Sequence, residues 1–353
     1  METHQKEVKC VVWDLDNTLW NGTLLESDMV TLKPEIPEIL MQLDSRGILH
    51  SISSKNHHAD AMAKLREFRL DQCFLYPEIH WNAKSTSIAN IQKNLNIGMD
   101  SLLFIDDDRF EREEVQSVHQ HIHCMDAVEY TSLPAHPRLN PRFVTEDSKK
   151  RRMMYLQDLQ RQHEEDDFTG PAEHFLASLN MTFMISEATE SDLQRVEELT
   201  ARTNQLNSTG YTYSYQELDA FRTSEHHKLY VCELIDKFGT YGKIGVAVVE
   251  TSAQFWHLKL LLMSCRVMSR GVGTILLSFI MQQARAQGKE LLADFARTDR
   301  NKMMYVTYKF ANFKEFSSNG GGVTILKNDV SRIQPFPQYI HVTTPDGDGY
   351  EAA

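Results

Sequence analysis

The sequence has few cysteines and no long apolar run. Its 353 residues include five cysteines, and no two of them form a CxxC pair or a regular framework. A sparse, odd-numbered set in a chain of this length argues against a disulfide scaffold and predicts reduced thiols in the cytoplasm. No apolar run reaches membrane-spanning length, and the polar opening METHQKEVK lacks the pattern of a signal peptide. We therefore expect a cytoplasmic protein that does not cross a membrane.

Basic residues are also fewer than acidic residues. Lys and Arg number 37 against 49 Asp and Glu, which gives a formal net charge of -12 at pH 7. This balance argues against broad binding to nucleic acid or to anionic membranes, because both require a basic surface. The length allows two domains of ordinary size.

The first part of the chain alternates short apolar runs with amphipathic segments. CVVWDLD, ILHSISS and SLLFIDDD have the composition of strands, whereas PEIPEILMQLDSRG, HADAMAKLREFRL and STSIANIQKNLNI have the spacing of helices. The alternation predicts an α/β domain with a parallel sheet over residues 1–133. Ligands bind beyond the carboxyl ends of the strands in such sheets. The acids that end two of these runs are therefore expected to converge on one site.

The pattern changes after this domain. Residues 134–170 hold three prolines in PAHPRLNPRF and a charged helix, with basic residues 149–152 before acidic residues 164–167, which we interpret as a linker with a solvated helix. A second domain is predicted over 171–343, from helices and the strand-like runs HKLYVCEL, GKIGVAVVE and FWHLKLLLMSC. Residues 344–353 are predicted to be a disordered tail.

Two aspartates, Asp14 and Asp16, end the first apolar run in KCVVWDLDNTLWNGTLLE. Phosphoryl transfer through an aspartyl-phosphate needs a nucleophilic carboxylate and a second group two residues along that moves the proton. FIDDD adds Asp106 and Asp107, whose oxygens suit Mg²⁺, a hard cation. The pattern favours phosphoryl chemistry with magnesium.

Other motifs would supply groups that hold a phosphate. SISSKN places Ser54, or alternatively Ser53, at the end of a strand, and WNAKS offers Lys84 as the balancing cation. Thr18, in KCVVWDLDNTLWNGTLLE, and Asn56, in SISSKN, are further candidates for phosphate binding.

In this order the motifs resemble those of the haloacid dehalogenase superfamily, which run DxDxT, Ser/Thr, Lys and DD. The resemblance implies that Asp14 is the nucleophile and Asp16 the general acid and base. It also implies that Lys84 steadies the phospho-aspartate, and that Asp14, Asp16, Asp106 and Asp107 hold Mg²⁺.

A histidine cluster offers a different metal site. HQHIHC would place His119, His121 and His123 on one face of a predicted strand, beside Cys124. Zinc is conceivable there, although an ordinary partly exposed strand is the favoured interpretation.

In the second domain, MSRGVGT follows a strand and opens a helix. Gly271 and Gly273 would expose backbone N–H groups at the helix N-terminus, a natural anion site. The arrangement resembles the GNAT acyltransferase fold, whose Q/R-x-x-G-x-G/A loop holds the pyrophosphate of an acyl-CoA. Met268 stands at the Q/R position, and Tyr308 on a later helix would protonate a leaving thiolate. A glycine-started helix without a ligand is the alternative.

Two further stretches carry candidate residues. RTNQLNSTGYTYS is dense in amides, so Asn204 and Asn207 are candidates for a polar small-molecule pocket, with helix capping as an equal alternative. LLLMSCRVMSRG places Cys265 next to Arg266 at the end of a central strand, and a thiol beside a cation can act as a nucleophile. Inert packing is the usual role of such a cysteine.

Together the motifs of both halves resemble FkbH-like proteins, which fuse a haloacid-dehalogenase-type domain to a GNAT-like domain. The resemblance spans Lys9 to about Phe313 through KCVVWDLDNTLWNGTLLE, SISSKN, FIDDDRFEREEV, RTNQLNSTGYTYS, FGTYGKIG and LLMSCRVMSRGV. It implies that the protein takes D-1,3-bisphosphoglycerate, a phosphorylated three-carbon substrate, and removes phosphate. The glyceryl group would then be loaded as a thioester onto the phosphopantetheine arm of an acyl carrier protein, for a polyketide unit of the methoxymalonyl or tetronate type.

A cysteine can capture the acyl group of an acyl phosphate, and Cys265 is the favoured thiol, with Cys10 as its rival. The alternative function is a Mg²⁺-dependent phosphatase whose GNAT-like domain only binds a partner or an acyl-pantetheine ligand.

Overall fold

The computed structural model describes residues 7–26, 29–318 and 321–348. The chain divides into two compact units, residues 1–158 and 159–353. Among the helices of the described part, none combines the length and the apolar character needed to cross a membrane.

The first unit is built around a five-stranded sheet. The strands of the whole unit are β1 (Cys10–Trp13), β2 (Trp20–Asn21), β3 (Thr31–Leu32), β4 (Leu49–Ser54), β5 (Glu78–Ile79), β6 (Leu102–Asp106) and β7 (His123–Asp126). Its helices are α1 (Ile36–Ser45), α2 (His58–Glu67), α3 (Lys84–Leu95), α4 (Arg109–Val118) and α5 (Glu146–Lys149), followed by α6 (Arg151–Asp167), which runs into the second unit.

The sheet order is β5-β4-β1-β6-β7, with every pair parallel, and β2 and β3 form a separate hairpin. The predicted α/β fold with a parallel sheet is confirmed. Strands β4, β1 and β6 are neighbours, so their carboxyl ends lie side by side. This edge receives the residues that follow Trp13, Ser54 and Ile105.

Strand β1 is the centre of the sheet and is completely buried. Parallel strands covered on both faces are expected to be continuous apolar runs, as CVVW is. Cys10 has no exposed surface, and burial raises the pKa of its thiol far above the ordinary value. The rival acyl-carrying thiol therefore lies in the core of the first unit.

The histidines of HQHIHC do not share a strand, so the prediction of three histidines on one strand face was wrong. His119 follows the last residue of α4, His121 is in the turn after it, and only His123 lies in β7. His119 Nε2 lies 2.8 Å from the carbonyl oxygen of Ser85. Helix α4 ends at Val118 and strand β7 begins only at His123, so the residues between them form the connection.

The basic residues at the start of α6 contact the first unit. Arg151 Nη1 donates to the carbonyl of Gly47 at 2.7 Å, and Arg152 makes two 3.1 Å bonds to the carboxylate of Asp44. Arg151 and Arg152 are therefore engaged in charge-assisted hydrogen bonds, whereas the charge pattern predicted a solvated helix face there.

The second unit contains a nine-stranded, mostly antiparallel sheet. Its helices are α7 (Ala172–Ser178), α8 (Leu193–Arg202), α9 (Tyr215–Thr223), α10 (Ile275–Ala286) and α11 (Lys302–Phe310). Its strands are β8 (Met181–Glu187), β9 (His227–Asp236), β10 (Gly239–Thr251), β11 (Phe255–Met263), β12 (Glu290–Ala296), β13 (Lys314–Ser318), β14 (Val323–Asn328), β15 (Ile340–Thr344) and β16 (Gly347–Asp348).

The strand order is β13-β14-β12-β11-β10-β9-β8-β15-β16, and only the β11–β12 and β8–β15 pairs are parallel. One face packs on α7, α10 and α11, and the other on α8 and α9. The unit is thus α+β, as predicted. Of the expected tail, residues 344, 347 and 348 belong to strands and residues 345–346 form the turn between them, while residues 349–353 lie outside the described part of the chain.

The last part of α6 is fixed to the second unit by a buried ion pair. Arg161 is completely buried and makes 2.6 and 2.9 Å bonds to the Asp236 carboxylate. Its guanidinium lies 3.9 Å from the centre of the Tyr241 ring, and the Tyr241 hydroxyl donates to Asp236 at 3.0 Å. Paired in this way, both charges are compensated within the core.

A buried histidine beside the central strand couples the stability of the first unit to pH. The indole of Trp13 donates to His50 Nδ1 at 3.2 Å, and His50 Nε2 lies 3.2 Å from the Leu40 carbonyl, so the ring is neutral and satisfied. Burial lowers the pKa of His50 from 6.5 to about 4. His50 therefore favours the folded state above pH 6.5, and this contribution is lost as the pH falls towards 4 because the unfolded chain takes up a proton first.

We predict that His50→Gln flattens the decline in the free energy of unfolding between pH 6.5 and 4. The shift is equivalent to roughly 3 kcal/mol at acidic pH, an order-of-magnitude value. Urea unfolding at a series of pH values measures the slope, and His58→Gln, at an exposed histidine, serves as the matched control. Equal slopes in both variants and the wild type would contradict this role of His50.

Candidate active site

A lysine bridges two buried carboxylates at the carboxyl edge of the parallel sheet. Lys84 Nζ lies 2.7 Å from Asp14 Oδ1 and also contacts Asp106 Oδ2. Asp14 directly follows β1, Asp106 ends β6, and Lys84 is the first residue of α3. The exposed fractions are 5% for Asp14, 4% for Lys84 and 0% for Asp106, so the three charges are shielded from water.

The charges of this cluster do not balance. Burial raises the pKa of Asp14 against the opposing effect of Lys84. Burial, and then the charge of Asp14, raise the pKa of Asp106 to about 7. Burial alone would lower the pKa of Lys84, but the two carboxylates outweigh it and raise the pKa above its ordinary value. Two acids compete for one ammonium, and this leaves a site that favours a further cation.

Three carboxylates are close enough to share that cation. One oxygen each from Asp14, Asp106 and Asp107 lie within 4.8 Å of one another. Asp107 is exposed, while the other two are buried. An all-oxygen set of this kind fits Mg²⁺, which usually keeps several waters alongside a few carboxylates.

Asp16 is not in that group, although it was predicted as a fourth carboxylate ligand. Its Oδ1 accepts bonds from the indole of Trp20 at 2.8 Å and from the backbone N–H of Leu24 at 3.0 Å. Its Oδ2 accepts a bond from Asn56 Nδ2 at 2.9 Å. Three donors thus hold the Asp16 carboxylate in one orientation next to the nucleophile candidate.

The residues predicted to bind phosphate take different positions. Ser54 lies beside Asp14 and favours its charged form, whereas the hydroxyl of the alternative Ser53 is buried and has no hydrogen-bond partner in the described structure. The Thr18 hydroxyl accepts a 3.0 Å bond from the backbone N–H of Asp107. Thr18 therefore fixes the Asp107 loop, and Asn56 fixes Asp16.

Two positioning residues were missed or differently interpreted at the sequence level. The indole of Trp20 orients Asp16 from the β2 strand. Arg112 Nη1 donates to the Asp106 carbonyl at 2.6 Å, and its Nη2 pairs with Asp126 at 2.6 Å. An indole four residues after an acid is a signal that could have been used for Trp20.

In the second unit, Cys265 lies beyond β11 rather than at its end. It is the first residue of a short 3-10 helix, Cys265–Arg270, and is partly exposed. The neighbouring Arg266 donates through Nη2 to the carbonyl of Tyr241 at 3.1 Å. Cys265 therefore lies just beyond the carboxyl end of β11.

Tyr339 packs against the glycine loop. Gly271 has a φ of +70°, and a Cβ there would lie 2.2 Å from the Tyr339 hydroxyl. Helix α10 begins only at Ile275, so the Gly271 amide lies outside its first turn. Gly273 has open space around its Cα. The hydroxyl of Tyr339 therefore lies against Gly271, where the Cβ of a larger residue would be.

The remaining candidates of the second unit differ in exposure. Asn204 is exposed, whereas Asn207 is completely buried and bonds only within the chain. Tyr308 is also buried, which raises the pKa of its hydroxyl far above the ordinary value. Neither Asn207 nor Tyr308 reaches solvent in this structure.

Comparison with known proteins supports the phosphatase interpretation. No family model matches the sequence. Human magnesium-dependent phosphatase 1 is 30% identical over 120 residues, a match that covers 29% of this chain and 68% of that protein. The chain belongs to the magnesium-dependent phosphatase family.

Solved structures were also compared with the chain. The N-terminal part of a Bacteroides fragilis protein, containing a phosphatase domain complexed with Mg, is 26% identical with a TM-score of 0.29, and the match covers 44% of this chain and 40% of that one. The ribosomal-protein-S18-alanine N-acetyltransferase of Escherichia coli is 13% identical with a TM-score of 0.35, covering 44% and 98%. The PaiA N-acetyltransferase of Thermoplasma acidophilum, in complex with coenzyme A, is 15% identical with a TM-score of 0.33, covering 42% and 98%. Because these TM-scores are low, the fold of each unit is assigned from the strand order in this structure and not from these similarities.

For a magnesium-dependent phosphatase, the acids of FIDDD should differ in their effect on metal binding. We predict that Asp107→Asn weakens Mg²⁺ binding by roughly tenfold or more, about 1.4 kcal/mol, because one of three clustered carboxylates is lost. Calorimetric titration with Mg²⁺ measures the affinity. Asp108→Asn is the matched control, since Asp108 caps α4 by accepting from the Phe110 N–H. Equal affinities of the two variants would exclude Asp107 as a ligand.

Proposed function

We propose that the protein is a phosphatase and glyceryltransferase. It would process D-1,3-bisphosphoglycerate and load the glyceryl group as a thioester onto an acyl carrier protein. The observation that carries the phosphoryl half is the buried Lys84 between Asp14 and Asp106, beside Asp107. The acyl half rests on the exposure of Cys265 and on the resemblance to FkbH-like proteins.

In the phosphoryl step, Asp14 attacks the phosphorus and the substrate oxygen leaves. The new bond joins Asp14 to phosphorus, and the departing oxygen takes its proton from Asp16. Water then cleaves the aspartyl-phosphate while Asp16 accepts the proton, which releases inorganic phosphate and restores both acids. The bonds from Trp20, Leu24 and Asn56 keep Asp16 pointed for both transfers.

Lys84 and the metal share the electrostatic work of this step. Bound Mg²⁺ would neutralise charge on the phosphate oxygens, held by Asp14, Asp106 and Asp107. Lys84 keeps Asp14 and Asp106 together in the absence of substrate, so the nucleophile is positioned before the phosphate arrives.

In the acyl step, a thiolate attacks the carbonyl carbon of the acyl phosphate. A thioester bond forms, the carbon–oxygen bond to phosphate breaks, and inorganic phosphate leaves with the electron pair. A second thiol, that of the carrier's phosphopantetheine arm, then displaces the first by exchange. The second phosphate of the substrate is an ester, and its removal is the task of Asp14.

The five cysteines differ in their suitability for this step. Cys10 and Cys232 are buried, and burial raises the pKa of both thiols far above the ordinary value. Burial also raises the pKa of Cys73, and it raises that of Cys124 to about 11. Cys265 is partly exposed and follows a central strand of the second unit. It is the favoured acyl-holding thiol.

The alternative function is a magnesium-dependent phosphatase whose second unit only binds a partner or an acyl-pantetheine ligand. The specific observation in its favour is Tyr339, whose hydroxyl packs against Gly271, a residue of the loop predicted to bind the pyrophosphate of an acyl-CoA. Intact-mass measurement separates the two functions, because only the glyceryltransferase gains the mass of a thioester-linked glyceryl or phosphoglyceryl group, whereas the phosphatase forms an aspartyl-phosphate alone.

We predict that Asp14→Asn lowers phosphate release by about three orders of magnitude, about 4 kcal/mol of barrier, because an amide cannot form the phosphoryl intermediate. Phosphate release from D-1,3-bisphosphoglycerate with Mg²⁺ is the measurement, corrected for release in buffer alone. Asp60→Asn, at an exposed acid of α2, is the control. Full activity of Asp14→Asn would rule out its role as nucleophile.

We predict that the wild-type protein gains the mass of a glyceryl or phosphoglyceryl group after incubation with the same substrate, and that Cys265→Ala does not. Cys124→Ala, at another partly exposed cysteine, should keep the adduct. Phosphate release without any adduct in the wild type would favour the phosphatase alternative. An adduct that persists in Cys265→Ala would move the acyl group to another cysteine.

A further inference from the structure

The backbone pairing between β11 and β12 stops before either strand ends. The two strands are paired from Phe255 with Glu290 to Leu258 with Ala293. Beyond these positions β11 continues to Met263 and β12 to Ala296. Each continuation presents a row of N–H and C=O groups towards the other strand, and such an edge is a template for an added strand.

The segment Leu206–Ser208 fills this gap. Against β11, Ser208 N donates to the Leu261 carbonyl at 2.9 Å, the Ser208 hydroxyl accepts from Leu261 N at 3.0 Å, and Leu206 O accepts from Met263 N at 2.9 Å. Against β12, Ser208 O accepts from Ala296 N at 2.9 Å. The segment runs antiparallel to β11 and satisfies groups of both strands.

Buried amide side chains anchor the segment. Asn207 Oδ1 accepts from the N–H groups of Thr209 and Gly210 at 3.1 and 2.8 Å. Asn301 Nδ2 donates to the carbonyls of Asn207 and Ala296 at 3.0 and 2.8 Å. Asn207 and Ser208 have no exposed surface, so the segment is part of the sheet interior.

We propose that Leu206–Ser208 is a resident strand that stays in place during acyl transfer and confines the acyl acceptor to the Cys265 end of β11. This inference rests on the proposed function, in which the acceptor is a pantetheine thiol. A pantetheine arm carries two amides and would pair with a free strand edge as an added strand does. The N–H groups of Leu261 and Met263, which would receive it, are already bonded.

The same confinement follows from the next residues of the chain. Ser264 N donates to the Ile244 carbonyl of β10, so it too is engaged. The following residue is Cys265, which is partly exposed. Cys265 thus follows, two residues along the chain, the last β11 position that the segment bonds, Met263. In this proposal the resident strand keeps the pantetheine arm out of the gap between β11 and β12, so that its thiol reacts at the Cys265 end of β11.

Hydrogen exchange measured by mass spectrometry tests the proposal on the full chain. The probes are pantetheine and coenzyme A, each added with D-1,3-bisphosphoglycerate and Mg²⁺. We expect peptides that cover residues 204–210 and 259–264 to exchange at the same rate with and without either probe, while pantetheine acquires the glyceryl group. A rise of about tenfold or more on adding a probe, about 1.4 kcal/mol, would mean that the arm displaces the segment, and would overturn the proposal.

A matched pair of variants tests the anchor. Asn207→Ala should speed exchange of residues 204–210 about tenfold or more, whereas Gln205→Ala, at an exposed neighbour, should not. Because a resident strand need not move, glyceryl transfer to pantetheine should be no faster in Asn207→Ala than in the wild type. Faster transfer would identify the segment as a gate and contradict the proposal.

Two outcomes keep this test separate from that of the proposed function. If Asn207→Ala does not fold, as shown by its circular dichroism, the wild-type exchange data still decide. If the wild type transfers glyceryl to neither probe, the proposed function fails, and the confinement of its acceptor fails with it. If glyceryl transfer proceeds while a probe displaces the segment, the proposed function stands and the resident strand alone is overturned.

Discussion

The contact of Lys84 with two buried carboxylates is the constraint on which the first site depends. One ammonium cannot neutralise Asp14 and Asp106 together, and neither acid is close enough to water to be stabilised by solvation alone. The sheet must therefore bring β1, β6 and the start of α3 together with little freedom, because a displaced lysine would leave an uncompensated buried charge. The strong burial of β1 serves this placement as much as it serves stability.

The remaining parts of that site are organised around the same pair of strands. Arg112 holds the backbone of Asp106, Thr18 holds the loop of Asp107, and Trp20 with Asn56 holds Asp16. These residues hold in place the aspartates that are proposed to carry the chemistry, and each comes from a different part of the chain. In the second unit the candidate is a partly exposed thiol, Cys265, so the two halves of the proposed reaction rely on different physical means. The first relies on fixed charge, and the second on the accessibility of a thiol.

Local patterns allowed much of this to be predicted. The alternation of strands and helices predicted the parallel sheet, and strand-end acids predicted which side chains converge, because carboxyl ends of parallel strands share one edge. The predictions failed where distant segments meet. Leu206–Ser208 was interpreted as a polar loop, since nothing in its own composition shows that β11 and β12 leave a gap of its size. Tyr339 over Gly271 is likewise a contact between residues far apart in sequence. The histidine run failed for a local reason, because His119 and His121 lie in the connection between α4 and β7 and only His123 belongs to a strand.

The parallel pairing of β8 with β15 has a consequence for the order of biosynthesis. Met181 pairs with Ile340, so the edge of β8 has no partner until the ribosome has added a long stretch of chain. The contacts of highest sequence separation form late and slowly. Tyr339 immediately precedes β15, so the cover over Gly271 arrives with it. The nascent second unit thus passes through a period in which Tyr339 does not yet cover its glycine loop and one sheet edge is unpaired. The first unit, with all five strands of its sheet already made, can fold ahead of it.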